Sequence, residues 1–170
     1  MSPDNQGDRK SQAESIKVPD NPDEIARRVA RNALRQFDTL VQRINLGLDP
    51  NRPFRLRLSI VFELNRAAIE GLSEYAGVFR PGGVRIQGSK HEPPEAHLVP
   101  ALVEEMCDYV SDNWNDKTAV HLAAYVMWRL NWIHPFVDGN GRTARAVSYL
   151  VLCVRSGFQL PGTHTIPELI

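Results

Sequence analysis

No stretch of this chain is both long and apolar enough to span a bilayer. The opening segment, MSPDNQGDRKSQAESIKV, has no apolar core of the kind an export signal carries. Both absences point to a soluble, cytoplasmic protein with no membrane partner. Charge of one sign is lacking too: 20 Lys and Arg balance 20 Asp and Glu. Bulk electrostatics therefore gives no support to a nucleic-acid partner. Cysteine is scarce. Cys107 and Cys153 stand in apolar helical surroundings and read as buried free thiols, not as a disulfide framework. No internal repeat is visible.

What is present is ordinary in amount and specific in arrangement. With 170 residues, 42% of them hydrophobic, the chain can build one domain with a real core. Residues 1–20 are polar and aperiodic and read as a disordered tail. Pro22 and Asp23 open a helix whose apolar stripe is Ile25, Val29, Ala33, Phe37, Leu40 and Ile44. RLRLSIVFELNRAAIEGL is a second helix, closed by Gly71. The segment YAGVFRPGGVRIQGSKHEPPEAH is the main non-helical region. Its alternating run Val84 to Gln87, then Gly88, then Pro93 and Pro94, predicts a short β-hairpin flap, with His91 exposed beside it.

Helix returns from His97 to about Val110. Asn113 or Asp116 can cap a further helix, from about Lys117 to Trp132. That helix is apolar nearly all round, which predicts the central buried position. Tyr125, Trp128 and Trp132 recur in it at helical spacing and read as core. RTARAVSYLVLCVRSG is a last helix ending at Gly157. The chain stops at PGTHTIPELI, where another helix can begin, so residues 51–170 are expected to form one domain that is open to truncation at its C-terminal end. The fold expected is all-α with a short β-hairpin flap.

Between the last two helices runs HPFVDGNGRTAR, residues 134–145. Pro135 ends the preceding helix and fixes His134 at its exit. Gly139 and Gly141 flank Asn140 at the start of the next helix, where free backbone N–H groups make an anion site. Glycine lets the backbone curl into a nest. Arg142 and Arg145 share one face of the first turn. There they repel each other and oppose the helix dipole, a cost that makes sense under a polyanion. Tyr149 continues that face, and Ala146, Val147, Leu150, Val151 and Val154 hold the opposite one. Asp138 is a hard oxygen ligand of the sort Mg²⁺ takes beside substrate phosphates. His134 is the one group there able to take a proton near neutral pH.

This run resembles the motif of the Fic family, HPFx(D/E)GNGRxxR, and matches it at His134, Pro135, Phe136, Asp138, Gly139, Asn140, Gly141, Arg142 and Arg145. The resemblance spans roughly residues 55–165, including a flap-like segment, and leaves residues 21–50 as an accessory N-terminal helix. It implies a Fic-type helical bundle and a protein adenylyltransferase. Such an enzyme uses Mg²⁺ and ATP to place AMP on a Ser, Thr or Tyr hydroxyl of a target protein. On that resemblance His134 deprotonates the hydroxyl and Asp138 holds Mg²⁺. Asn140 and the backbone of Gly139 and Gly141 hold the α-phosphate. Arg142 and Arg145 bind the outer phosphates. Phe136 anchors the loop. The flap residues Val84, Arg85, Ile86, Gln87, Gly88 and Ser89 pin an extended target segment.

RAAIEG, residues 66–71, resembles the family's inhibitory helix, in which a Glu bridges to the last motif Arg. Glu70 and Gly71 match that pattern, whereas Arg66 replaces the expected Ser or Thr. Two alternatives stand beside the adenylyltransferase. One is a related Fic transferase with another donor or group, although Gly141 argues against the kinase-like Doc branch, which carries Lys there. The other is a non-catalytic nucleotide- or partner-binding module. Homo-oligomer formation, base preference and target identity are not legible in the residues.

Overall fold

The computed structural model describes residues 18–160. Most of the expected tail, and the terminal residues 161–170, lie outside the described residues. Five α-helices occur among the described residues: α1 Pro22–Gly47, α2 Leu58–Ile69, α3 Val99–Asp112, α4 Ala119–Ile133 and α5 Asn140–Ser156. A 3₁₀ turn, Ala96–Leu98, leads into α3. No helix among the described residues is long and apolar enough to cross a membrane.

The central helix is α5, not α4. Eleven of the 17 residues of α5 are buried, against five of 15 in α4. Small residues on α5, Ala144 and Ser148 among them, let α4 come close. The Ser148 hydroxyl donates to the Ala123 carbonyl at 2.8 Å. On its outer side α4 leaves Val120 and Trp128 in solvent. The expectation that Tyr125, Trp128 and Trp132 are core is therefore corrected at Trp128, which is 56% exposed. Thr118, not Asn113 or Asp116, caps α4, accepting from the His121 N–H at 3.2 Å. Asn113 ends α3 instead. Tyr149 is also moved. It is buried in α5, its hydroxyl donates to the Leu160 carbonyl at 3.1 Å, and burial pushes its pKa up to about 12.

The apolar stripe of α1 is only half used. Leu40 and Ile44 enter the core, while Ile25, Val29 and Phe37 stay exposed. The upper half of α1 docks through polar side chains on α2. Arg28 donates to the Gly71 carbonyl at 2.8 Å, Asn32 to that of Glu70 at 3.0 Å, and Gln36 to that of Leu64 at 3.0 Å. The Glu70 and Gly71 carbonyls lie just past the end of α2, where its own turns supply no donor, and that of Leu64 lies within the helix. Both cysteines are free and buried, and burial pushes the Cys107 thiol up to about 12.

The expected hairpin is absent: no strand occurs among the described residues. Residues 83–86 form no regular secondary structure and no ladder, and a single turn follows, closed by the Ser89 N–H on the Ile86 carbonyl at 3.1 Å. Gly88 supplies the positive φ, +76°, that this turn needs. The returning segment pairs elsewhere. The His91 ring meets the Trp132 carbonyl at 2.8 Å, so His91 is half-buried, not exposed. The Pro94 carbonyl accepts from Arg80. Pro93 and Pro94 also have no N–H to give a ladder.

Candidate active site

The α4–α5 junction gathers most of the residues singled out in the sequence. His134 caps α4 in the left-handed region, φ +51°, and is the only non-glycine residue there among the described residues. Its N–H still donates to the Leu130 carbonyl at 2.9 Å. Phe136 is wholly buried and packs against Phe62 and Phe79, with ring centroids 6.3 and 6.1 Å away. The Asn140 side chain closes the loop. Its Oδ1 accepts from the Phe136 N–H at 2.9 Å, and its Nδ2 donates to the Phe136 carbonyl at 2.8 Å. In this structure the Asn140 amide is a brace for the loop.

The start of α5 is an open anion cradle. Gly139 occupies the cap position at φ +77° and offers no side-chain cap. Its own N–H goes to Asp138 Oδ1 at 2.5 Å. The N–H groups of Asn140, Gly141 and Arg142 have no acceptor among the described residues. Unsatisfied donors at this end of a helix dipole attract anions. Arg142 donates to Asp138 Oδ2 at 3.0 Å and to the Ala68 carbonyl at 3.1 Å. Arg145 is half-buried and has no ion pair among the described residues.

Two residues that the sequence reading passed over hold this arrangement. Arg80 is 3% exposed. Its guanidinium donates to the carbonyls of His134 at 2.9 Å, Gly82 at 2.7 Å and Pro94, while its backbone N–H donates to the Pro135 carbonyl at 2.9 Å. Asn65 is fully buried on α2. Its Nδ2 donates to the Asp138 carbonyl and to Thr143 Oγ1, both at 3.1 Å, and its Oδ1 accepts from the Gly77 N–H at 2.9 Å. The one available signal for Asn65 was a lone amide on the apolar face of LSIVFELNRAAI.

The structure does not bring every expected site residue into contact. Ile86 and Ser89 line the same cleft as His134, whereas Val84 and Arg85 line a neighbouring cavity within the flap. Gln87 and Gly88 form the turn beyond. Glu70 pairs with Arg35 of α1, not with Arg145.

A model of the Fic/DOC family matches residues 55–152. The chain belongs to the Fic/DOC family. It is 28% identical over 129 residues to the protein adenylyltransferase Fic of Drosophila willistoni, covering 75% of this chain and 25% of that protein. It is 27% identical over 124 residues to the protein adenylyltransferase fic-1 of Caenorhabditis briggsae, covering 72% of this chain and 24% of that one. The chain thus spans about a quarter of the length of the curated relatives it matches. A crystal structure of a Fic family protein from Desulfovibrio desulfuricans superposes with a TM-score of 0.62 at 24% identity. That match covers 80% of this chain and 38% of the other. Fic-1 from C. elegans, residues 134–508, also gives 0.62 at 24% identity, covering 75% and 37%. These likenesses support the Fic helical fold, and the names of the curated relatives support a transferase.

In this Fic domain the His134 imidazole is held below its ordinary value of 6.5. Burial is the first cause, the backbone of Asn131 pulls the other way, and Arg80 and His91 add to the lowering. Nδ1 is buried with no hydrogen-bond partner among the described residues, which leaves Nε2 for the open side of the cleft. One group of the site therefore favours the neutral, proton-accepting form, and the adjoining cradle favours an anion.

Proposed function

We propose that this Fic domain transfers AMP from Mg²⁺-bound ATP to a Ser, Thr or Tyr hydroxyl of a target protein. The observation that carries the reading is the junction itself: a neutral-leaning imidazole at the end of α4 beside an uncapped α5 start and an Arg145 without an ion pair among the described residues. The hydroxyl oxygen attacks the α-phosphorus while its proton passes to His134 Nε2. The bond from the α-phosphorus to the bridging oxygen breaks, and pyrophosphate leaves. The N–H groups of Asn140, Gly141 and Arg142 receive the charge that develops on the α-phosphate. Arg145 and Arg142 hold the outer phosphates. Phosphoryl chemistry of this kind needs positioning and charge neutralisation above all.

The residues fit Mg²⁺ as a co-ligand of the nucleotide. Asp138 is exposed with one carboxylate, and no group of three acidic, His or Cys ligands occurs among the described residues. A single carboxylate plus substrate phosphates is a usual Mg²⁺ arrangement. Bound there, the ion would neutralise phosphate charge.

The test compares ATP labelled at the α-phosphate with ATP labelled at the γ-phosphate, using a protein extract as target. Label from the α-position alone is expected on protein. Label from the γ-position alone would mean kinase chemistry and overturn the reading. The pH profile gives a second check. A base must be neutral, and a lowered pKa keeps it neutral further into acid. The acid limb of kcat/KM is therefore expected below pH 6.5. A limb above that value would remove His134 from the role.

Glu70 is the brake in this reading, in a released position. Arg142 already bonds the Ala68 carbonyl, so the end of α2 lies against the motif arginines, yet the Glu70 carboxylate is held by Arg35. Carboxylate near Arg145 would compete with an outer phosphate for charge. Glu70→Gly is expected to raise AMP transfer, and Arg35→Ala, which frees the carboxylate, to lower it. The exposed pair contributes about 0–1 kcal/mol, so neither change should move thermal stability much. Equal transfer rates in the parent and both variants would dismiss the brake.

A further inference from the structure

We propose that the cleft between α4 and residues 86–91 receives a bulky apolar side chain of the target segment, two residues from the one that accepts AMP. The proposal rests on the transferase reading and adds to it a class of substrate. The cleft is shallow and open to solvent, with a volume of about 390 Å³, and Ile86, Ser89, His91, Trp128, Trp132 and His134 are among its lining residues. No carboxylate, Lys or Arg lines it, so its occupant is uncharged.

The walls are fixed before anything binds. The Arg129 guanidinium lies 5.7 Å from the Trp128 ring centroid and 4.9 Å from that of Trp132. Such contacts hold indoles in place. On the opposite wall His91 bonds the Trp132 carbonyl at 2.8 Å and lies against its ring, with centroids 5.9 Å apart. This ties the flap to α4 and sets the width. Yet Trp128 keeps 56% of its surface in water. A large aromatic surface, pre-ordered and wet, gains by burial under an apolar group.

The position of the cleft decides which group. His134 stands at its edge, so a hydroxyl presented to that imidazole brings its neighbours along. The backbone of residues 83–85 is in no helix, turn or ladder among the described residues, so its N–H and C=O groups are available to an extended target segment. Alternate side chains of such a segment point the same way. A residue close in sequence to the hydroxyl is therefore carried against Trp128.

The experiment uses an array of short synthetic peptides with a central Thr and varied neighbours. The full chain is first tested for binding without nucleotide, then for labelling with Mg²⁺ and α-labelled ATP. Peptides with Leu, Met or Phe two residues from the Thr are expected to bind and label at least about tenfold better than those with Asp or Gly there. Trp128→Ala should erase that preference by raising the peptide KM at unchanged kcat, and Trp128→Phe should restore it. Unfolding midpoints check that both variants fold. No apolar preference in the parent, or the same preference in Trp128→Ala, would overturn the proposal. So would an equal loss of ATP binding in Trp128→Ala, which would make the indole a platform for the nucleotide base. A Trp128-dependent apolar preference in binding, without labelling of any peptide, would support the cleft and sink the transferase reading.

Discussion

His134→Ala is expected to lower AMP transfer about 10²–10⁴-fold, the usual contribution of a positioned base. The fold should survive the change. The backbone contacts of residue 134 do not use the imidazole: its N–H bonds Leu130 and its carbonyl accepts from Arg80. Its left-handed conformation, φ +51°, is already borne by a residue with a Cβ. The cradle at the start of α5 is also untouched, so ATP should bind as before. Single-turnover labelling alongside ATP titration measures both. Full transfer by the alanine variant would show that the hydroxyl needs no base from this chain. Lost ATP binding would show that His134 holds nucleotide.

The second large effect separates the two glycines of the loop. A Cβ on Gly139 would meet Ile69 Cγ2 at 2.8 Å and Asn65 Nδ2 at 3.1 Å, in a residue already at φ +77°. Left-handed backbone costs a side chain about 1–2 kcal/mol, and overpacking adds about 1–3 kcal/mol. Gly139→Ala should therefore lower the unfolding midpoint by roughly 4–20 °C in a domain of this size. Gly141 differs. A Cβ there would meet only Arg145 Nη1, at 3.4 Å, and the backbone is helical. Gly141→Ala should leave the midpoint unchanged or slightly raised, while a methyl group at the mouth of the cradle crowds the phosphate. Calorimetry and ATP titration of the two variants check this. Equal midpoints would mean that Asn65 and Ile69 yield more easily than their packing implies.

The loop was legible because its chemistry lies within twelve consecutive residues. Pro, Gly and Arg at fixed spacing state both a geometry and a charge. The helices were legible through their periodicity, and the helical fold follows from that. Coverage was not legible. The apolar circumference of α4 showed what can be buried, but only a third dimension shows that no described residue lies over Val120 and Trp128. The α1 stripe failed in the same way at Ile25, Val29 and Phe37. The flap misled because alternation needs a partner strand, and the returning chain bonds α4 and Arg80 instead. Asn65 and Arg80 were invisible because most of their partners are backbone groups, many of them distant in sequence. A side chain whose acceptors are carbonyls leaves no complementary residue type to look for.

Arg80 bears on how far this loop can be regarded as a module. Its guanidinium reaches carbonyls on both sides of the cleft, at His134 and at Gly82 and Pro94. Twelve contiguous residues transplanted onto another helix pair would carry every motif side chain and lack the clamp that orients the first of them. The smallest transferable unit is discontinuous and includes the segment around Arg80. A designer borrowing this chemistry would have to copy an arginine that touches no reacting atom, together with the main-chain path that brings three carbonyls to it.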